Sequence, residues 1–217
     1  MKTKNKALLL SLCAVLLVAA SVLGTMAYLT SEDAVTNTFT VGSVAITLDE
    51  LDVDNDTNTD DNVTYGEGEN AVVRDKANAY KLLPGHSYTK DPIIHVDSKS
   101  EDCYLFVKVV NGITTIEDAT TVADQMKAKG WAVVEGVADT YVYIGTAEGA
   151  SAPLAVKAGD DVPVFESFKI KGDVTNDELA QYNGKTITVT AYAVQKDGFE
   201  NTAAAAIWNT AFGTSAN

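Results

Sequence analysis

A zinc hydrolase needs two or three nitrogen ligands and a carboxylate that activates the metal-bound water. This 217-residue chain has two histidines, His86 and His95. His86 follows Pro84-Gly85, and His95 stands in an apolar run with Asp97 on its side. The HExxH pattern, which sets two imidazoles one helical turn apart, is missing. A turn histidine and a strand histidine are therefore the preferred reading, with a site from His86, His95 and one acid as the alternative. No GxSxG elbow is present, and Cys103 lies in a strand-like apolar run, the setting of a buried small hydrophobe. Between Asp56 and Glu67, oxygen side chains fall at loop positions one, three, five, seven and nine (Asp56, Asn58, Asp60, Asn62, Thr64), with Glu67 at twelve. That is the ligand spacing of a calcium loop. Asp61 occupies the place of the glycine that makes the sharp turn, and no flanking helices are predicted, so a solvated acidic loop is the stronger expectation. No catalytic residue is assigned.

With 30 acidic residues against 16 basic ones the net charge is −14. Such a surface repels phosphate backbones and anionic headgroups, so nucleic-acid binding and polybasic membrane binding are excluded. The mean hydropathy of +0.01 is inflated by one segment near the N-terminus. Lys2, Lys4 and Lys6 precede an uncharged run from Ala7 to Leu23, with Gly24-Thr25-Met26-Ala27 directly after it. This is the grammar of an export signal, and the small residues Thr25 and Ala27 predict cleavage between Ala27 and Tyr28. An uncleaved anchor is the alternative, and it would be the one contact with the membrane. Leu12 before Cys13 argues against lipidation. Residues 1–27 hold three lysines and no acid, so residues 28–217 carry 13 basic and 30 acidic side chains, a net −17. One cysteine, Cys103, remains in that mature chain, and no intramolecular disulfide can form. A chain of this size buries roughly 70% of its unfolded surface, enough for one domain, residues 28–217, held by its core.

Residues 37–48 alternate apolar and small polar side chains around Gly42 and predict a broken strand. Residues 49–62, with seven acids, predict an exposed loop. Leu83-Pro84-Gly85 predicts a type II turn with a strand after it. Residues 93–97 and 103–111, joined by a polar spacer, predict a hairpin. Cys103, Leu105, Val107 and Val109 share one face of the second strand, and Tyr104 and Phe106 the other, which marks it as central. A short amphipathic helix is predicted over 116–129, closing at Gly130, with Thr115 and Asp118 at its start. Strands are predicted at 131–135, 140–146, 162–171 and 185–195, and Pro163 places its strand at an edge. One helical turn at 177–182 and a terminal helix at 203–212, anchored by Trp208, complete the reading. The economical architecture is all-β, an antiparallel β-sandwich with one or two short peripheral helices.

The string GTMAYLTSEDAVTNTFTVGSVAITLDE at 24–50 resembles the start of exported Gram-positive proteins processed by the SipW-type signal peptidase, the TasA and camelysin-like family. The matches are the small-residue site before Tyr28-Leu29-Thr30, the step Asn37-Thr38-Phe39-Thr40, Gly42, and the alternation of Val44, Ile46 and Leu48. Leu83-Pro84-Gly85 with Lys90-Asp91-Pro92-Ile93 is similar to a turn before a core strand in those proteins. Tyr192-Ala193-Val194-Gln195 with Asp197-Gly198-Phe199 and Trp208 is similar to their closing segment. The resemblance implies a jelly-roll-like sandwich in a secreted protein of the matrix or cell surface, and a biofilm-fibre subunit in particular. Its partners would be other copies or matrix proteins, after the SipW-type peptidase during export. It also implies a donor strand just after the cleavage site, from Tyr28 to Phe39, with Tyr28, Leu29, Val35 and Phe39 as its apolar contacts. The rival expectation from the same family is a camelysin-like surface metalloendopeptidase. The ending FGTSAN lacks a sortase signal, which disfavours covalent wall anchoring.

Overall fold

A computed structural model describes residues 3–26, 42–54, 63–65 and 72–213 and divides the chain into two units, residues 1–41 and 42–217. The first unit contributes one helix, α1 (Thr3–Met26). Leucine and alanine favour helix strongly, and 24 residues at 1.5 Å each make a rod of about 36 Å.

The second unit is built mostly of short antiparallel strands. β1 (Ile46–Leu51), β2 (Val63–Tyr65), β3 (Val72–Asp75), β5 (Ile93–Val96) and β10 (Asp161–Pro163) form one sheet in the order β10-β5-β1-β3-β2. β6 (Cys103–Asn111), β7 (Trp131–Val133), β8 (Thr140–Tyr143) and β12 (Ile187–Gln195) form another in the order β12-β6-β8-β7, with β9 (Ala155–Val156) added to β6. β4 (Ser87–Thr89) and β11 (Ser167–Lys169) make a separate ribbon. β10 is an edge strand, as Pro163 requires, because proline has no N–H for a second neighbour.

One core joins the inner faces of these sheets. Ile94, Val96 and Val162 come from the first sheet, and Cys103, Leu105, Val107 and Val109 from the second; Phe165, Phe168 and Ile170 lie among them. The opposite face of β6 packs Tyr104 and Phe106 against Val142 and against Ile207 and Trp208 of α4 (Ala204–Phe212). Five consecutive buried residues at the start of β6 thus face two cores in alternation, which a two-residue side-chain period allows. Fully burying side chains such as Phe106 or Leu105 stabilises the fold by about 1.5–3 kcal/mol each. Trp131 adds an indole N–H donated to the Pro163 carbonyl at 2.9 Å.

Several expectations are corrected. β5 and β6 are not a hairpin: β5 pairs with β1 and β10, while β6 pairs with β12 along all nine residues, so 97–102 crosses between sheets. The run at 162–171 divides into β10 and β11, in different sheets. The helix expected over 116–129 is a 3-10 turn at Thr114–Ile116 and then α2 (Val122–Ala128). Its capping box is Thr121 with Asp124 rather than Thr115 with Asp118, because Glu117 turns inward, where its carboxylate accepts from the Val122 N–H at 3.1 Å. The helix does close at Gly130, whose φ of 89° suits glycine. α3 (Asn176–Ala180) is the short helix near 177, capped by Thr175. The turn at Pro84-Gly85 is present, with the His86 N–H donating to Leu83 at 3.3 Å and a positive φ at Gly85.

Candidate functional site

The acids that open the region expected to be an exposed loop are buried. β1 runs through Asp49 and Glu50 to Leu51, and the two acidic residues are 6% and 4% exposed. Burying a carboxylate is costly unless it is paired and hydrogen-bonded, and both are. The partner of Asp49 is Arg74 on β3, the chain's single arginine, which is also buried. Arg74 donates from Nε to the Asp49 carboxylate, from Nη1 to Asp91 Oδ2 at 3.1 Å, and from Nη2 to the Asp91 carbonyl at 2.9 Å. Burial by itself disfavours the guanidinium charge. Its hydrogen bonds to Asp49 and Asp91, and their negative charges, outweigh it and hold the pKa above its ordinary value.

Around this pair the network widens. Asp91 Oδ1 accepts from the Leu51 N–H at 2.7 Å. His95 places Nε2 at 3.1 Å from Asp49 and Nδ1 at 2.6 Å from Asp161, so three adjacent strands, β1, β5 and β10, are tied through one imidazole. The expected neighbour of His95, Asp97, instead receives the Lys99 N–H in a turn. Glu50 accepts from Lys90 Nζ at 2.5 Å and from the Asn78 amide at 3.0 Å. His86 lies elsewhere, exposed, with Nδ1 at 3.1 Å from the Pro84 carbonyl. Among the described residues no three His, Cys, Asp or Glu side chains gather as a set that could hold a metal ion.

Beside the network lies a groove of about 1090 Å³, lined by Leu48 and Glu50 of β1, Tyr80 and Leu82, Tyr182, and Ile187 and Val189 of β12. Tyr80 stands edge-on to Phe168, which stacks on Tyr88, and the Tyr88 hydroxyl donates to the Lys81 carbonyl at 2.7 Å. These rings and hydrogen bonds shape one wall. Burial pushes the Tyr80 phenol well above its usual pKa. The apolar groups Ile46, Leu48, Tyr80, Leu82, Ile187 and Val189 all pack on the main core while remaining partly exposed, so among the described residues the core is open on this side.

The cleavage site Ala27 and Tyr28, the strand contacts Tyr28, Leu29, Val35 and Phe39, and the loop positions Asp56, Asn58, Asp60, Asn62 and Glu67 lie outside the described residues. Val63–Tyr65, the eighth to tenth positions of that loop, form β2 and pair with β3. Cys103 is fully buried, as its apolar run predicts, and burial pushes its thiol up to about 11. Sequence reasoning missed the Arg74 network. The available signal was a lone arginine flanked by Val73 and Asp75 in a chain with an excess of acids. No family model, curated protein or solved structure matches the chain.

Proposed function

We propose that this chain is a secreted structural protein of the extracellular matrix or cell surface, a jelly-roll-like fibre subunit of the SipW-dependent, TasA-like kind. It assembles by giving its N-terminal strand, Tyr28 to Phe39, to a neighbour. The observation that carries the reading is the side of the core that the described residues leave open, where apolar side chains of β1 and β12 remain half-buried around the groove. An extended segment added there removes that surface from water and satisfies sheet edges, the physics of β-strand addition. The groups best placed for chemistry, His95, Asp49, Asp91 and Arg74, are engaged with one another, which suits a scaffold.

The test compares the chain beginning at Tyr28 with one beginning at Thr40, by light scattering and electron microscopy over a salt series. A net charge of −17 makes subunits repel, and salt shortens the screening length to about 8 Å at physiological ionic strength, so fibres of the longer chain are favoured by salt. Equal fibres from both chains, or none from either, overturn the reading. Calcium at the Asp56 to Glu67 loop is a further proposal, tested by a melting temperature that rises with millimolar calcium in the parent and not in Glu67→Ala.

A further inference from the structure

An asparagine followed by glycine can react with its own backbone. The glycine amide nitrogen gives its proton to solvent and bonds to the asparagine Cγ. The Cγ–Nδ2 bond then breaks, and the nitrogen takes a proton from water and leaves as ammonia, so that a five-membered succinimide ring remains. Water opens the ring at either carbonyl, giving aspartate or an isoaspartyl link in which the chain runs through the side-chain carboxyl. Glycine suits the second position because it has no Cβ to crowd the closing ring. The chain holds two such pairs, Asn111-Gly112 and Asn183-Gly184, and the fold treats them oppositely.

Asn111-Gly112 is tied down at the reacting atoms. Asn111 ends β6 half-buried, with Nδ2 donating to Glu117 Oε2 at 3.1 Å and Oδ1 accepting from the Ile113 N–H at 2.9 Å. The Gly112 N–H, the attacking group, donates to the Thr186 carbonyl at 2.9 Å. A Cβ at Gly112 would meet that same oxygen at 3.0 Å, so the backbone has little room to turn. Ring closure here must first break these hydrogen bonds, which requires local opening of the sheet end.

Asn183-Gly184 is free at the same atoms. It lies in the turn between α3 and β12, which the Lys185 N–H closes by donating to the Tyr182 carbonyl at 3.0 Å. Both residues are exposed, and Gly184 has a φ of 74°, the type II position that glycine fills without strain. Among the described residues neither the Asn183 side chain nor the Gly184 N–H has a hydrogen-bond partner. A Cβ built at Gly184 meets nothing within 4 Å, so the turn stands in open space.

We propose that Asn183 is a site of spontaneous deamidation in the folded protein, with water as the co-reactant, and that Asn111 is spared by the bonds that hold it. Asn183 and Gly184 line the groove, so each event sets a new carboxylate on its rim. The isoaspartyl product also adds a carbon to the backbone between α3 and β12.

The test holds the full chain at mildly alkaline pH, folded in buffer and unfolded in urea, and samples both over weeks. Trypsin then releases residues 109–127 and 172–185, one pair in each, and mass spectrometry with fragmentation counts the amide-to-acid exchange at each asparagine. In the folded chain Asn183 is expected to react faster than Asn111 by about tenfold or more, whereas in urea the two rates converge. Anion exchange should show a new acidic form of the folded parent at the position of Asn183→Asp, and Asn183→Ser should not produce it at the parent's rate. Two results overturn the proposal: an Asn183 that reacts in the folded chain as slowly as Asn111, or an acidic form that persists undiminished in Asn183→Ser. Equal, rapid reaction of both asparagines in the folded chain also overturns it, since the bonds at Asn111 would then protect nothing.

Discussion

Replacing Arg74 with alanine tests whether the charged network holds the first sheet together. The Arg74 side chain is 9% exposed and donates to both Asp49 and Asp91; without it the Asp49 carboxylate, 6% exposed, loses its guanidinium counter-charge and keeps the contact with the His95 imidazole at 3.1 Å. Removing one partner of a buried pair costs about 3–5 kcal/mol, because the other charge is left desolvated. Asp91 is a quarter exposed and can turn to water, so the lower end, about 3 kcal/mol, is expected. For a chain of this size that lowers Tm by roughly 6–12 °C. Arg74→Met keeps much of the stem packing and separates lost contact from lost charge; it should recover less than half of the deficit. Breaking the exposed Lys129–Glu166 pair with Lys129→Ala serves as the control, with a cost below about 1 kcal/mol. Urea unfolding monitored by circular dichroism reads all three. A loss below about 1 kcal/mol for Arg74→Ala, with an unchanged urea slope, would refute the argument that a desolvated carboxylate is stranded.

Burial pushes the Glu117 carboxyl above its usual value, against the lowering effect of hydrogen bonds from the Val122 N–H and Asn111. The fold thus favours its protonated form, so its contribution is full below the unfolded pKa and is lost as pH rises from there through the folded one. Carbon-detected NMR should find its midpoint above that of an exposed glutamate, and a midpoint at or below it contradicts the burial argument. Cys103 is fully buried with its thiol raised to about 11, so a disulfide reagent at neutral pH should label it only through unfolding. Labelling as fast as free cysteine would place it at the surface. Gly130→Ala sets a Cβ 2.5 Å from the Gly145 backbone at a positive φ, whereas Gly136→Ala has the same sign of φ and open space. The second should cost about 1–2 kcal/mol and the first distinctly more by urea unfolding; equal costs would mean that the backbones move apart.

Local features of the fold were readable from neighbouring residues. The alternation in 103–111 and 187–195 placed β6 and β12 and sorted the faces of β6, because side-chain direction in a strand repeats every two residues whatever lies across it. Pro84-Gly85, Gly130 and Pro163 marked a turn, a helix end and an edge through backbone geometry that those residues carry with them. The long apolar run after three lysines was equally local. Pairing was different. The expected hairpin of β5 and β6 failed because five polar residues can reverse a chain within one sheet or carry it to the next, and only the partners, Ile46–Asp49 for β5 and Ile187–Gln195 for β6, decide which. Asp49 and Glu50 read as loop acids because acids are usually solvated. Arg74, 25 residues beyond Asp49, and Lys90, 40 beyond Glu50, offset the cost of burying them. His95 finds its second carboxylate 66 residues away. That β12 pairs with β6 on one side and, among the described residues, with no strand on the other likewise comes from topology, since nothing in Ile187–Gln195 records it.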